Sequence, residues 1–258
     1  TGQIVVAGVG RYTGTATLLL THINFVRAAD QSTGAWKSAD AFVGFPSPKK
    51  PTGTPWYYGT TGTADHFNYA HNVTIQNCTM DGSDGADNQT MVGVKCPSQG
   101  AFNITLDNIT ISHAHSLAQF TSTEGITIKN CTATEDIYHG LSITGGTHNE
   151  VEISGNEIDA YDDYGIRIKG KGEKHVTLSD NEVEAPNAVV LADTWSVGST
   201  VYIESGTYSG TESCITDNSV NTELTISGGT FNEEVSGELL EDGYYSFPNG
   251  TDPETYTV

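Results

Sequence analysis

The chain has 258 residues, of which 36% are hydrophobic, and its 32 acidic residues against 11 basic ones give a formal charge of −21. A field of that sign repels phosphate backbones, which excludes nucleic acid as a partner, and it disfavours anionic membranes. No run of about 18 apolar residues occurs, so no membrane insertion is expected, and composition is left to place the chain.

In chain order, Leu18, Leu20 and Phe25 form the first regular pattern: two apolar residues two apart, then a third seven after the first. From about 26 to 70 the chain turns irregular. Pro46, Pro48, Pro51 and Pro55 stand among Trp36, Trp56, Tyr57 and Tyr58. Proline this dense excludes a central strand, so a projecting insertion is expected. Its aromatics either stack on sugar rings or fold back to seal the first coils.

The same pattern then returns throughout 71–231. It starts at Val73, Ile104, Ile126, Val151, Val176, Val201 and Leu224, at spacings of 31, 22, 25, 25, 25 and 23 residues. Alternation of period two predicts a strand with one face buried. Most repeats carry a second short strand, as at Leu141 to Ile143, Ile166 to Ile168 and Val189 to Leu191. No helical period separates them, so βαβ units are excluded. Repeats of this kind bury their apolar faces only by stacking on one another. The predicted fold is all-β, a right-handed parallel β-helix (a solenoid) with coils of about 25 residues and a single domain over 1–258. Leu18 precedes Val73 by 55 residues, room for two coils or for one coil and an insertion.

Asn77, Asn108, Asn130, Asn156 and Asn181 fall near the bend after the first strand of each repeat. Asn tolerates left-handed backbone there, and stacked Asn side chains can form ladders. Cys78, Ile109 and Cys131 share one repeat position, which places the two thiols two coils apart, roughly 9–10 Å. That is too far for a disulfide. The four cysteines, Cys78, Cys96, Cys131 and Cys214, include no CxxC pair, so they read as buried thiols. After Phe231, Leu239, Leu240, Tyr244, Tyr245 and Phe247 are expected to cover the open end of the core, making 232–258 a C-terminal cap.

Three resemblances follow. The repeat pattern resembles the pectin-lyase-like superfamily of right-handed parallel β-helices, which implies a secreted protein that handles carbohydrate. The stretch from Leu224 to Phe231, with Val235, Leu239, Leu240 and Tyr244 after it, is similar to the closing repeat of surface proteins of Gram-positive gut bacteria. That similarity implies a module of a larger multidomain protein at the cell surface. His139-Gly140-Leu141-Ser142-Ile143, followed by Gly165-Ile166-Arg167-Ile168-Lys169, resembles two motifs of polygalacturonase-type glycoside hydrolases. In that family the His and the Arg/Lys pair lie in the substrate groove near catalytic aspartates. The aspartate pair belongs one coil before the His, and this chain has Ser116, Leu117, Ala118, Gln119 and Phe120 there.

The residues also suggest chemistry directly. Aligning Leu141 with Ile166 puts His139 beside Tyr164 and leaves Asp136 and Asp163 roughly 8 Å apart. Inverting glycosidases hold two carboxyls about 6.5–9.5 Å apart. His139, Asp136, Asp163, Arg167 and Lys169 are therefore the candidate catalytic set, with Arg167 and Lys169 suited to an anionic sugar. The aspartates also suit plain turns, because Asp bonds local backbone. His113, His115 and His139 could meet on neighbouring coils. Asp81, Asp84 and Asp87 have the composition of a calcium loop without the closing Glu of an EF-hand, so calcium is a possible cofactor and no other is implied. Trp36, Trp56, Tyr57 and Tyr58 are the candidate carbohydrate-binding residues. The expected function is adhesin-like binding of a polysaccharide or host glycan at the cell surface. The alternatives are a polysaccharide hydrolase or lyase, and a stalk that binds nothing.

Overall fold

The computed structural model describes residues 4–5, 17–26, 41–45, 70–82, 91–96, 101–121, 123–145, 148–249 and 255–258. They form a parallel β-solenoid built from three rows of stacked strands. In the first row Leu18 pairs with Val73, Val73 with Ile104, and Ile104 with Ile126. Val151, Val176, Val201 and Leu224 continue it. All the starts read from the sequence are thus in register. Direct pairing of Leu18 with Val73 shows that one coil and an insertion, not two coils, separate them.

The second row follows one bend later and runs through Phe25, Met80, Ile111, Ala133 and Ile158. The third row runs from Val43 through Val94, Ala118, Leu141, Ile166 and Val189 to Ile215. Alternate residues of each strand point inward. Ile75, Leu106, Ile128, Ile153, Leu178 and Ile203 make one such column, closed entirely from solvent. A coil has no opposing sheet of its own, so the coils above and below supply its packing partners and its hydrogen bonds.

The bends divide the asparagines into two kinds. Asn77, Asn108 and Asn130 adopt positive φ and are exposed, with Asn108 Nδ2 donating to Asn77 Oδ1 at 2.8 Å. Asn72 and Asn103 repeat this at the bend before the first row. Asn156 and Asn181 do not belong to that set. Gly155 and Asp180 take the left-handed position in their coils, and the two asparagines lie one residue later, buried in the column below which Cys131 sits.

Cys78 pairs with Ile109, which separates it from Cys131, and all four cysteines are free and buried. Burial pushes the Cys131 thiol up to about 12. A thiol reagent is therefore expected to leave all four untouched in the native protein and to titrate all four in denaturant. A fast native thiol, or fewer than four in denaturant, would contradict the packing.

The cap differs from the expectation. Val235 is buried, and Leu239, Leu240 and Val258 pack on the core end. The short strand Tyr256–Thr257 runs antiparallel to both Thr230–Phe231 and Phe247–Pro248, which occupies the open edge. Tyr244, Tyr245 and Phe247 remain exposed and do not cover the core. The strand edge is closed by hydrogen bonds, and aliphatic side chains suffice for the narrow core beneath it.

Candidate functional site

Three strands of the third row, Ser116–Thr121, Leu141–Thr144 and Tyr164–Lys169, stack with Gln119, Ser142 and Arg167 in line. A sharp bend precedes each strand, and the bends bring the chemistry together. His139 N donates to His115 O at 2.7 Å, and Gly140 N donates to Tyr164 O at 2.9 Å. Glycine is required at 140, because a Cβ would strike the Gly165 carbonyl oxygen of the next coil.

Backbone stacking at coil spacing aligns the rings. The His115 and His139 centroids are 4.9 Å apart, and His139 lies on Tyr164 at 4.4 Å with 20° between the planes. The Arg167 guanidinium carbon sits 3.8 Å from the Tyr164 centroid. Beside this column Tyr138 and Tyr161 meet edge to face at 5.5 Å, and Tyr161 is 52% exposed. His139 Nε2 is 3.1 Å from Asp162 Oδ2, and Arg167 Nη1 is 3.5 Å from Asp163 Oδ2.

Burial lowers the pKa of both imidazoles. For His139 the neighbouring His115 adds to the effect while Asp162 opposes it, and for His115 nearby Lys95 and Arg167 add to it. Both rings are therefore neutral at pH 7. An Nε2 facing a carboxylate carries the proton, so the lone pair of neutral His139 resides on Nδ1. Nδ1 is buried and has no protein partner among the described residues. Asp162 raises the Tyr138 hydroxyl, and burial raises those of Tyr161 and Tyr164. Ser142 and Arg167 lie beside the Tyr164 hydroxyl and oppose its shift, yet it reaches no hydrogen-bond geometry with them.

The sequence-derived candidates fall out as follows. His139, Asp163 and Arg167 share this face, and His139 does lie beside Tyr164. The carboxylate on His139 is Asp162, not Asp163. Asp136 and Asp163 both hold left-handed bends, as turn residues do, and Asp136 stands near Tyr161. Lys169 lies two residues beyond Arg167, in register with Ala192. His115 and His139 meet, whereas His113 turns to Asp81 at 3.0 Å and Glu135 at 3.6 Å. Asp81 is thus engaged by a histidine, while Asp84 and Asp87 lie outside the described residues. Trp36, Trp56, Tyr57 and Tyr58 lie outside them as well. Among the described residues no group of three or more His, Cys, Asp or Glu side chains is arranged to hold a metal ion. No helix among them is long and apolar enough to cross a membrane.

Tyr138, Tyr161 and Asp162 were not among the sequence-derived candidate site residues, Asp162 being read as a turn residue. A signal was present, since Tyr161 follows Tyr138, and Asp162 follows His139, by the same 23 residues. The third row carries a second unread feature. Its strands Val92–Cys96, Ser116–Thr121, Leu141–Thr144 and Tyr164–Lys169 hold Lys95, Arg167 and Lys169 and not one acidic residue. In a chain of charge −21 these four strands are a local stretch of basic outward residues, with Asp162 and Asp163 at the bend beside it. No family model, no curated protein and no solved structure matches the chain.

Proposed function

We propose that the chain is a glycan-binding module of a secreted or cell-surface protein, and that it grips acidic sugar chains across the face of Tyr138, Tyr161, Arg167 and Lys169. The observation that carries this reading is the edge-to-face pair of half-buried Tyr138 and exposed Tyr161 on successive coils, set beside four strands that bear Lys95, Arg167 and Lys169 and no acidic residue. An aromatic ring takes the apolar face of a sugar, and a guanidinium takes its carboxylate or sulfate in a planar fork. The solenoid and the repeat pattern support membership of the pectin-lyase-like superfamily. The closing-repeat resemblance supports an adhesin-like role in a larger multidomain protein.

Binding is favoured over cleavage by proton chemistry. A general base needs an accessible lone pair within reach of its substrate. With its Nε2 proton toward Asp162, His139 keeps its lone pair on Nδ1, which is covered from solvent. Each carboxylate beside it is already paired, Asp162 with His139 and Asp163 with Arg167.

A glycan array and a reducing-end assay over acidic and neutral polysaccharides test this on one sample. Acidic glycans are expected to bind without turnover. Tyr161→Ala should weaken binding roughly three- to tenfold, and Arg167→Ala should erase the preference for acidic chains. Turnover lost in His139→Ala and Asp162→Asn would replace binding with hydrolysis. Silence in both assays would leave a stalk.

A further inference from the structure

The first row of strands carries a different surface on its outer side. A groove of about 890 Å³ crosses five successive coils there. Its floor follows the strand register: Thr105, Thr127, Glu152, Thr177 and Tyr202 stand in line, one to a coil. Glu150, Glu173 and Glu204 flank this line, and among the described residues no lysine or arginine lines the groove. Glu173 is held by His175 at 3.0 Å. Glu150, Glu152 and Glu204 form no ion pair among the described residues, and Tyr202 is 40% exposed.

We propose that this groove is a second binding site, for a linear polysaccharide with free amino groups laid along the solenoid axis at about one sugar per coil. Three features of the groove select that occupant. Apart from His175, the ionisable side chains among the described lining residues are carboxylates, so a cationic chain complements the groove and an acidic one is repelled. Its floor repeats every coil, about 4.8 Å, close to the length of one pyranose ring, whereas an extended peptide advances about 3.3 Å per residue and falls out of step. Its lining combines threonine hydroxyls on the floor, carboxylates on the floor and flanks and one exposed aromatic ring, which suits a polyhydroxylated chain bearing ammonium groups. The site is independent of the Tyr161 face, because it lies on another row of strands and has the opposite charge.

The test titrates the 258-residue chain with a glucosamine hexamer, its N-acetylated counterpart and a lysine hexamer, at a pH where the amines are protonated. The glucosamine hexamer is expected to bind roughly tenfold more tightly than the N-acetylated one. Glu150→Gln with Glu152→Gln should remove that preference, and Tyr202→Ala should weaken binding roughly fivefold. These side chains are exposed, so circular dichroism should be unchanged, and Tyr161→Ala should leave the titration as it was. Absence of saturable binding would overturn the proposal. So would binding indifferent to the groove variants, a lysine hexamer that binds equally well, or loss of binding in Tyr161→Ala.

Discussion

Replacing Asn156 with alanine will lower the stability of the chain by roughly 3–5 kcal/mol, from two or three buried polar groups left without partners at about 1–3 kcal/mol each. Asn156 is 1% exposed. Its Nδ2 donates to Ile128 O at 2.9 Å and to Asn181 Oδ1 at 2.9 Å, while its Oδ1 accepts from Cys131 N at 3.0 Å. One side chain therefore serves the coil below and the coil above. Alanine strands the Cys131 amide and the Ile128 carbonyl in the core. Asn156→Leu separates the causes, since leucine fills the volume and supplies no partner. A loss close to that of alanine is expected in urea unfolding. A leucine variant as stable as the parent would show that packing, not hydrogen bonding, matters at this position.

Lys174→Met will have an effect of similar size, roughly 2–5 kcal/mol, because it leaves the carbonyl oxygens arranged around the ammonium without their donor, at about 1–3 kcal/mol each. The Lys174 side chain is wholly buried. Its Nζ donates to the carbonyl oxygens of Gly145 and Gly170, each at 3.0 Å, and of Lys171 at 3.2 Å. The Trp195 ring lies 5.1 Å away. The ammonium thereby ties the turns of two successive coils together.

The same group sets a pH signature. Burial pushes Lys174 down to about 8 from its ordinary 10.5, with Asp193 opposing. Between those values the unfolded chain holds a proton that the folded chain has released. The contribution of Lys174 to stability therefore rises with pH across that window. Buried Tyr208 and Cys214 are shifted upward in both proteins, so their effects cancel in the comparison. The stability gap between parent and Lys174→Met should widen from pH 8 to 10.5. A gap that narrows would overturn the assignment.

The strands were legible because their signal is periodic. Val73, Ile104 and Val151 announce themselves by alternation, and their spacing became register without correction. The bends were not legible, because alternation stops there. One residue of slip separates exposed, left-handed Asn130 from buried Asn156, and the two look alike in the sequence. The candidate site sits on such bends, which explains why His139 was placed beside Tyr164 while its contact with Asp162 was not foreseen. The basic stretch was hidden for another reason. Lys95 and Arg167 are 72 positions apart in the chain and fall into one line, three coils apart, only once the coils are counted. At the end of the chain, apolar content suggested aromatic closure, whereas a reversed strand and four aliphatic residues were enough.

The parallel rows also determine how the molecule bears load. Every strand lies across the stack, so the hydrogen bonds between coils run along its axis. Tension applied between the two ends falls in line with those bonds and reaches the terminal coil first. The bonds then open in succession and do not share the force, so the stack peels coil by coil under traction. Sideways compression meets the continuous aliphatic interior and is resisted by all coils at once. As a tether the chain would act as an extensible spring, and as a spacer it would act as a stiff rod.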